Sequence, residues 1–493
     1  MNFIKYDIIL LILFVLFVSL FLYRNRKNLK RDGLLFLYKT KWGIKLIDKT
    51  AKKFPKTLKN LSYVSIGVGY LLMAGMLYLF GKIVWVYISA PEIVREIKVP
   101  PITPLIPYLP QAFKLDFLPP FYFIYWIVVL AVIAISHEFA HGIFMRRYNI
   151  KIKSTGFGFF PFFLPIFLAA FVEQDEKSMV KASRFQQKAV LAAGTFANIL
   201  TAILFFAVMI LFFSFAFSPA GVSFENSYGL ESYAYGMVGI GNITAINGTQ
   251  LLNPSYQGIL NSVERLESEI PSDSPKRGQI KENEMYKLET SNGNYSISKR
   301  FLEIQNNNEG YIFAYLDAPA INSGLTGAIS EIDGSKIQSL EDLSKTLNNY
   351  SPGDKINIKT TKGSYDVVLG EHPLNPEEPW LGIFFQKSQK GTFLGKVVGF
   401  LSVKKPNIYY ESEIGGAGDF IYDFLWWLVL ISFSVALVNM LPMGIFDGGR
   451  FFYLTMWQIT GSEKKAKKWF AYVTYFLLGL LFILMAFWAF SFI

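Results

Sequence analysis

Six mostly apolar stretches recur along this 493-residue chain. A helix needs roughly 20 such residues to cross the hydrocarbon core of a membrane, and each stretch approaches or exceeds that length. They run near Ile8 to Tyr23, Tyr63 to Ala90, Phe121 to Met145, Ala189 to Phe217, Phe420 to Ile445 and Phe470 to Ile493. Hydrophobic residues make up 52% of the chain, which excludes a disordered chain and disfavours an ordinary soluble enzyme. The pattern predicts a polytopic α-helical membrane protein with about six transmembrane helices.

Lysine and arginine cluster in the loops that follow the first, third and fifth apolar stretches. Arg24 to Lys59 holds thirteen of them, Arg146 to Lys188 eight and Arg450 to Lys468 five. Short loops rich in these residues stay in the cytoplasm, so both termini and the polar segment from Pro219 to about Asp419 are predicted to lie outside. The net charge of +11 therefore indicates orientation and some contact with anionic lipid, and we expect no nucleic-acid partner. The first stretch lacks a small-residue cleavage site, so we expect it to remain as an anchor.

Two of the three histidines stand in one pentapeptide, His137-Glu138-Phe139-Ala140-His141, at the end of the third apolar stretch. Residues four apart share a helix face, so both imidazoles can bind one metal ion while Glu138 addresses a water molecule beside it. The alternative is a polar cluster that only holds helices together. Ionisable groups inside membrane helices are costly and mark functional sites by default, which favours the metal site. His372 stands beside Pro373 and is predicted to be an ordinary loop residue, and the absence of cysteine excludes thiol ligands and nucleophiles.

Asp447 is predicted to supply the third protein ligand that a catalytic zinc requires. After Asp423 the only acidic residues are Asp447 and Glu463, and Asp447 stands in the segment NMLPMGIFDGG at 439–449. In the six-helix topology the third and fifth stretches both descend from outside. His141 and Asp447 are therefore expected to meet near the cytoplasmic boundary of the membrane. Taken alone, the Asp-Gly-Gly sequence could also be an interfacial turn or the end of a helix.

These motifs resemble those of the site-2 protease family of intramembrane zinc metalloproteases. HEFAH matches the family's first motif, and NMLPMGIFDGG matches the second, an Asn-x-x-Pro segment leading to Leu-Asp-Gly, with phenylalanine in place of the leucine. The resemblance implies a Zn²⁺ cofactor and a role for each of six residues: metal ligands His137, His141 and Asp447, general base Glu138, and substrate-positioning residues Asn439 and Pro442.

Two further segments resemble parts of the same family. Gly194 and Asn198 fit its Gly-x-x-x-Asn pattern, which implies a substrate-positioning role for Asn198, although small residues also simply allow close helix packing. The apolar run from Gly156 to Pro165 is broken by glycine and proline, so a regular membrane helix is not expected there. The family implies a membrane-entering β-hairpin that could pair with an unwound substrate, and a loop resting on the bilayer is the alternative.

The polar segment is predicted to be an α+β soluble domain. Alternating runs at 355–359 and 365–369 predict strands, and residues 340–347 predict a helix. Residues near 310–370 resemble a PDZ domain of bacterial periplasmic proteases, carried by APA at 318–320, SGL at 323–325, ISEIDGSKI at 329–337 and PGD at 352–354. An earlier ITAING at 243–248 is similar. It belongs either to a second, degenerate copy or, as we favour, to a hairpin turn in an unrelated strand pair.

The predicted organisation has five parts: two accessory helices and a basic cytoplasmic loop (1–120), the first part of the protease core (121–218), the exterior domain (219–419), the third core helix (420–460) and a C-terminal helix (461–493). We expect a zinc protease of a prokaryotic cell membrane that cuts within or near a transmembrane segment of another membrane protein. One alternative is a membrane-anchored PDZ receptor with a structural or inactive zinc site. A transporter with a midplane metal site is disfavoured, because both motifs lie at one boundary and no inverted repeat is apparent.

Overall fold

The chain folds into two compact units, a membrane unit up to residue 212 and from 419 onward, and an inserted unit of residues 213–418. The structure is a computed structural model, and it describes residues 3–32, 35–89, 100, 105–113, 118–159, 168–225, 232–251, 254–268, 285–303, 305, 310–385 and 403–490.

The helices and strands follow one another in three groups. The first group is α1 (Phe3–Arg24), β1 (Leu29–Asp32), β2 (Leu35–Thr40), α2 (Ile44–Lys53), α3 (Pro55–Ser89), α4 (Leu109–Ala112), α5 (Phe123–Arg147), β3 (Ile152–Phe159), β4 (Leu168–Gln174), α6 (Glu176–Lys181) and α7 (Arg184–Ala216). The second is β5 (Phe217–Val222), β6 (Tyr235–Gly239), β7 (Ile243–Ile246), β8 (Thr249–Gln250), α8 (Tyr256–Ser268), β9 (Met285–Thr290), β10 (Gly293–Ser298), α9 (Lys299–Glu303), β11 (Tyr311–Leu316), α10 (Pro319–Asn322), β12 (Ile329–Ile332), β13 (Ser335–Lys336), α11 (Leu340–Leu347), β14 (Lys355–Thr360), β15 (Ser364–Val368), β16 (Gly370–His372), β17 (Asn375–Trp380) and β18 (Ile408–Ser412). The third is α12 (Gly416–Asn439), α13 (Asp447–Thr460) and α14 (Glu463–Phe490).

Six helices of the described residues are long and apolar enough to cross a membrane, namely α1, α3, α5, α7, α12 and α14. They confirm the predicted polytopic helical membrane protein. The fifth predicted span extended to Ile445, and residues 420–460 were expected to form one core helix. Both expectations are wrong, because α12 ends at Asn439 and α13 begins at Asp447. Pro442 accounts for the break, since it has no N–H to donate and disfavours helical backbone in the residue before it.

Small side chains bring the helices of the membrane unit close together. A Cβ placed on Gly69 of α3 would lie 3.2 Å from Ala192 of α7 and 3.4 Å from Phe451 of α13. Ala189, Ala192 and Ala193 are fully buried. Lipid tails are as apolar as leucine, so helices in a membrane associate through this kind of close packing.

Asp7, a buried carboxylate of α1, caps the start of α5. Its two oxygens accept hydrogen bonds of 2.6 Å from the backbone N–H of Phe123 and 3.0 Å from that of Ile124. The Tyr108 hydroxyl donates to the same carboxylate. The first N–H groups of a helix have no partner within the helix, and the bilayer core offers no water, so this contact satisfies groups that would otherwise be costly to bury.

The basic segment after α1, predicted as a loop, contributes to a sheet. Strands β1 and β2 join β3 and β4 in an antiparallel sheet of order β1-β2-β3-β4. The predicted hairpin is thus present as β3 and β4, while residues 160–167 of the apolar run lie outside the described residues. Among the described strands β4 pairs only with β3, so it forms an edge of the sheet.

The inserted unit has two six-stranded sheets, each with its own apolar core. One has the order β6-β11-β10-β9-β7-β8, and the other has the order β15-β14-β12-β5-β18 with β13 paired to β12. Ile243, Ile246 and Leu288 are fully buried in the first core, and Ile332 and Ile356 in the second. The helix predicted at 340–347 and the strands predicted at 355–359 and 365–369 are confirmed as α11, β14 and β15.

The two sheets contain the same local arrangement of strand, tight turn, strand, helix and two further strands. It runs from β7 to β10 and again from β12 to β15. In the first copy the Asn247 N–H donates to Lys287 O and Asn247 Oδ1 accepts from Lys287 N, at 2.9 and 2.7 Å. In the second, Asp333 and Asn357 make the same two bonds at 3.0 and 2.8 Å. ITAING at 243–248 therefore forms a hairpin within a repeat of the arrangement around residues 329–334, so the favoured interpretation, a hairpin in an unrelated strand pair, is wrong.

Candidate metal centre

Three side chains from two helices converge in the membrane unit. The Nε2 atoms of His137 and His141, both on α5, are 3.0 Å apart. Asp447 Oδ2, at the start of α13, lies 3.3 Å from the first nitrogen and 3.2 Å from the second. Both histidines are buried, and the Asp447 side chain is 25% exposed. Two imidazole nitrogens and a carboxylate oxygen form a donor set that could hold a metal ion and leave a further position open.

Helix α7 contacts the far side of both imidazoles. His141 Nδ1 lies 2.7 Å from the carbonyl oxygen of Val190, which leaves its Nε2 free for a metal. His137 Nδ1 lies 3.1 Å from the amide nitrogen of Asn198. Asn198 is therefore in direct contact with a predicted ligand.

The absence of a side chain at Gly194 leaves space for the imidazole rings of His137 and His141. A Cβ placed there would overlap His141 Nε2 and would lie 2.6 Å from His137 Nε2. Every residue except glycine would thus intrude on the two nitrogens that face Asp447. This space and the three convergent donor atoms fit a metal ion such as zinc.

Asp447 reaches the site because α13 begins close to the preceding turn. A Cβ on Gly448 would overlap the Met440 backbone, and one on Gly449 would overlap Met443 O. The two glycines therefore let the backbone of α13 approach the turn after α12. Burial raises the pKa of the Asp447 carboxyl, but His141 and His137 outweigh burial and hold that pKa well below its ordinary value. A carboxylate oxygen placed beside two imidazole nitrogens completes a donor set of the kind that binds a divalent metal ion.

Glu138 lies beside the three groups in a cavity of about 430 Å³. Its Oε2 accepts a 2.8 Å hydrogen bond from the backbone N–H of Val172 in β4. The edge of the four-stranded sheet therefore adjoins the carboxylate. Lys153, Glu173 and Glu176 line the same cavity. The cavity thus combines a candidate metal centre, a candidate base and a strand edge.

The other predicted site residues lie elsewhere. Asn439, at the end of α12, does not line this cavity but a second, largely apolar one of about 420 Å³, together with Trp427, Ile431 and Ser434. Pro442 is buried in the turn between α12 and α13. His372 ends strand β16 and is not part of the metal-ligand group.

The sequence did not predict the backbone groups that hydrogen-bond the site residues, namely Val172 N–H to Glu138 and Val190 O to His141. Val172 and Val190 act through their backbone, so their identity carries no signal. Lys188 of α7, which does not line the cavity, is buried and joins α7 to α13 by a 2.7 Å hydrogen bond to Gln458 Oε1. A charged residue near an apolar stretch was a signal that could have found it.

Comparisons with known proteins agree with this geometry. The model of peptidase family M50 matches residues 125–482, which include α5, α7, α12 and α13. An uncharacterized protein of Methanocaldococcus jannaschii is 28% identical over 206 residues, which are 41% of this chain. The chain spans half the length of that relative. Because this match covers most of its length, the chain belongs to peptidase family M50, the site-2 protease family of membrane metallopeptidases.

Proposed function

We propose that this protein is a zinc metalloprotease that hydrolyses peptide bonds within or near transmembrane segments of other membrane proteins, in regulated intramembrane proteolysis. The observation that carries the proposal is the convergence of His137 Nε2, His141 Nε2 and Asp447 Oδ2 within 3.3 Å of one another, with Glu138 in the same cavity. Membership in a family of membrane metallopeptidases supports it.

His137, His141 and Asp447 would hold the zinc ion. When bound, zinc acts as a Lewis acid that polarises the scissile carbonyl and makes water more acidic. Glu138 takes a proton from water and later passes it to the leaving amine. The Val172 N–H fixes Glu138 Oε2, so the carboxylate keeps one orientation through both transfers.

The substrate must unwind before it is cut, because the peptide bonds of a helix are shielded by their own backbone. The edge strand β4 is a suitable partner for the unwound segment, since an extended chain gains main-chain hydrogen bonds by adding to a sheet edge. Its contact with Glu138 would bring that segment close to the base. This agrees with the role that the sequence suggested for the hairpin.

The apolar cavity along α12 suits a neighbouring part of the substrate. Trp427, Ile431, Ser434 and Val438 stand at successive turns of one face of α12 that lines it, and Asn439 follows at the end of the helix. Asn439, at its end, would then offer its amide to backbone groups exposed by unwinding. Pro442 would act by ending α12 and so setting where Asn439 stands.

The inserted unit would select substrates. Its PDZ-like module near 310–370 would capture extended chains, and the repeated arrangement of β7 to β10 offers a second module of the same kind. The loop charges favour a location outside the cell for this unit and a cytoplasmic-side location for the metal centre, in a prokaryotic membrane.

The test uses purified protein in detergent and a single-span model substrate. Zinc content is measured by elemental analysis, and cleavage by the fragments formed. The Glu138→Gln variant should bind about one zinc ion but not cleave the substrate, whereas the Asp447→Asn variant should lose both zinc binding and cleavage. Glu463→Gln, a carboxylate on α14, is the matched control and should change neither. Cleavage at the normal rate by Glu138→Gln would contradict the mechanism, and zinc binding with no cleavage by the unaltered protein would favour a PDZ receptor.

A further inference from the structure

Asn198 is a buried polar side chain within a membrane helix, and one of its two polar atoms has no partner. The side chain is 0% exposed. Its amide nitrogen lies 3.1 Å from His137 Nδ1, while its Oδ1 is buried and makes no hydrogen bond to any described residue. A buried amide oxygen without a partner is costly, so this arrangement needs an explanation.

The proton on His137 supplies the explanation. A neutral histidine that binds a metal through Nε2 carries its proton on Nδ1, and this N–H needs an acceptor. An amide nitrogen is a donor only, so it cannot serve. Turning the amide by 180° exchanges its two ends, places Oδ1 at the His137 N–H and gives that oxygen its missing bond.

The neighbouring ligand shows the same solution. His141 Nδ1 lies 2.7 Å from Val190 O, which can only accept a hydrogen bond, so the proton of His141 is on Nδ1. Val190, Gly194 and Asn198 are four residues apart and form one stripe on α7. The stripe presents a backbone acceptor, a gap and the side-chain amide of Asn198 to the two imidazoles.

We propose that Asn198 is a positioning residue for the metal centre. Its Oδ1 accepts from His137 Nδ1–H, and this bond fixes the tautomer in which Nε2 faces Asp447 and the other histidine. The inference rests on the proposed zinc site. It differs from the substrate-positioning role that the family resemblance implies for Asn198.

The experiment compares the zinc affinity of three variants with that of the unaltered protein, by competition with a chelator at one pH. Asn198→Asp keeps an acceptor at this position, while Asn198→Leu and Asn198→Ala remove it. Loss of a group that orients a ligand weakens metal binding about 10- to 100-fold, so Leu and Ala should show this loss and Asp should stay within about threefold. Thermal unfolding of the metal-free proteins identifies a variant that has not folded, and the other acceptor-free variant then decides.

Two results would overturn the inference. One is a zinc affinity in Asn198→Leu or Asn198→Ala equal to that of the unaltered protein. The other is an Asn198→Asp variant that binds zinc as weakly as they do. If the affinities are equal but Asn198→Asp cleaves slowly, Asn198 is a donor to substrate instead. Failure of the proposed function would look different, because the unaltered protein itself would then bind no zinc or cleave nothing.

Discussion

The two units of this protein differ in how many polar side chains they bury. Among the described residues the membrane unit buries twelve polar or charged side chains, from Asp7 to Ser432, whereas the inserted unit buries two, Ser298 and Thr360. Both units bury apolar clusters, two in each, but those of the inserted unit contain almost no polar side chains. In the inserted unit the hydrophobic effect drives formation of these apolar cores, because folding removes apolar surface from water.

The membrane unit cannot rely on that force between its helices. Leucine, isoleucine and phenylalanine side chains of α1, α7 and α14 are exposed where lipid would contact them. Specific structure there depends on close packing and on hydrogen bonds that water cannot replace. We therefore expect the membrane unit to be most sensitive to small polar or steric changes, and the inserted unit to loss of apolar volume.

The largest effect is expected from one added methyl group at the metal centre. Gly194→Ala would place a Cβ against His137 and His141, so zinc binding and cleavage should fall by about 100-fold or more. Gly67→Ala is the matched control, because a Cβ on that membrane-helix glycine meets nothing within 4 Å. Metal analysis and the cleavage assay check the pair. Equal zinc binding and cleavage by the two variants would contradict the expected sensitivity of the metal centre to small steric changes.

A large effect on stability is expected from removing the carboxylate that caps α5. Asp7→Ala would leave the N–H groups of Phe123 and Ile124 and the Tyr108 hydroxyl without their acceptor. Each buried donor without a partner costs about 1–3 kcal/mol. Thermal unfolding in detergent should show a clear loss for Asp7→Ala and a smaller one for Asp7→Asn, which keeps an acceptor oxygen. An unchanged unfolding temperature in Asp7→Ala would contradict the capping role.

In the inserted unit, loss of apolar volume should dominate. Ile246 and Ile332 are each 0% exposed and hold equivalent places in the repeated arrangement. Ile246→Ala and Ile332→Ala should each cost about 2–5 kcal/mol, and hydrogen exchange on the full-length protein should show faster opening of the affected sheet. Lys336→Ala, an exposed position in β13, is the control. Exchange that accelerates in both sheets from one substitution would indicate a single cooperative core instead of two.

The smallest effect concerns an ion pair at the edge of the sheet beside the metal centre. The hydrogen bond from Lys39, at 2.7 Å, and a second one from Ser154 lower the pKa of the Glu173 carboxyl. A lowered pKa stabilises the folded protein at pH values above the ordinary pKa of glutamate. This stabilisation is lost as the pH falls through the lowered pKa. Lys39→Met should therefore raise the pKa of Glu173, measured by NMR, and reduce stability at neutral pH but not at strongly acid pH. An unchanged Glu173 pKa would show that Ser154 alone sustains the shift.

Much of this architecture could be predicted because its signals are local. Runs of apolar residues identify membrane helices directly, and His137, His141 and Asp447 were predicted to meet from spacing and topology alone. The structure brings all three together. Their role as ligands stays a prediction.

The groups that support the site were beyond prediction for a physical reason. Strands β1 and β2 lie in a segment whose basic residues obscure its alternation, and β3, which pairs with β2, lies more than a hundred residues away. Backbone groups such as the Val172 N–H leave no trace in residue identity. Asp7 did leave one, as a lone acid beside the first apolar stretch, but the predicted span began at Ile8.

The cap that Asp7 provides also has a consequence for biogenesis. Helix α1 emerges from the ribosome before α5, and the partners of its carboxylate at Tyr108 and Phe123 follow 101 and 116 residues later. Until then the carboxylate lacks the three hydrogen-bond donors that it has in the folded protein. Final seating of α1 should therefore wait for α5, so that a translational arrest before residue 123 leaves the first segment easier to extract than the finished protein.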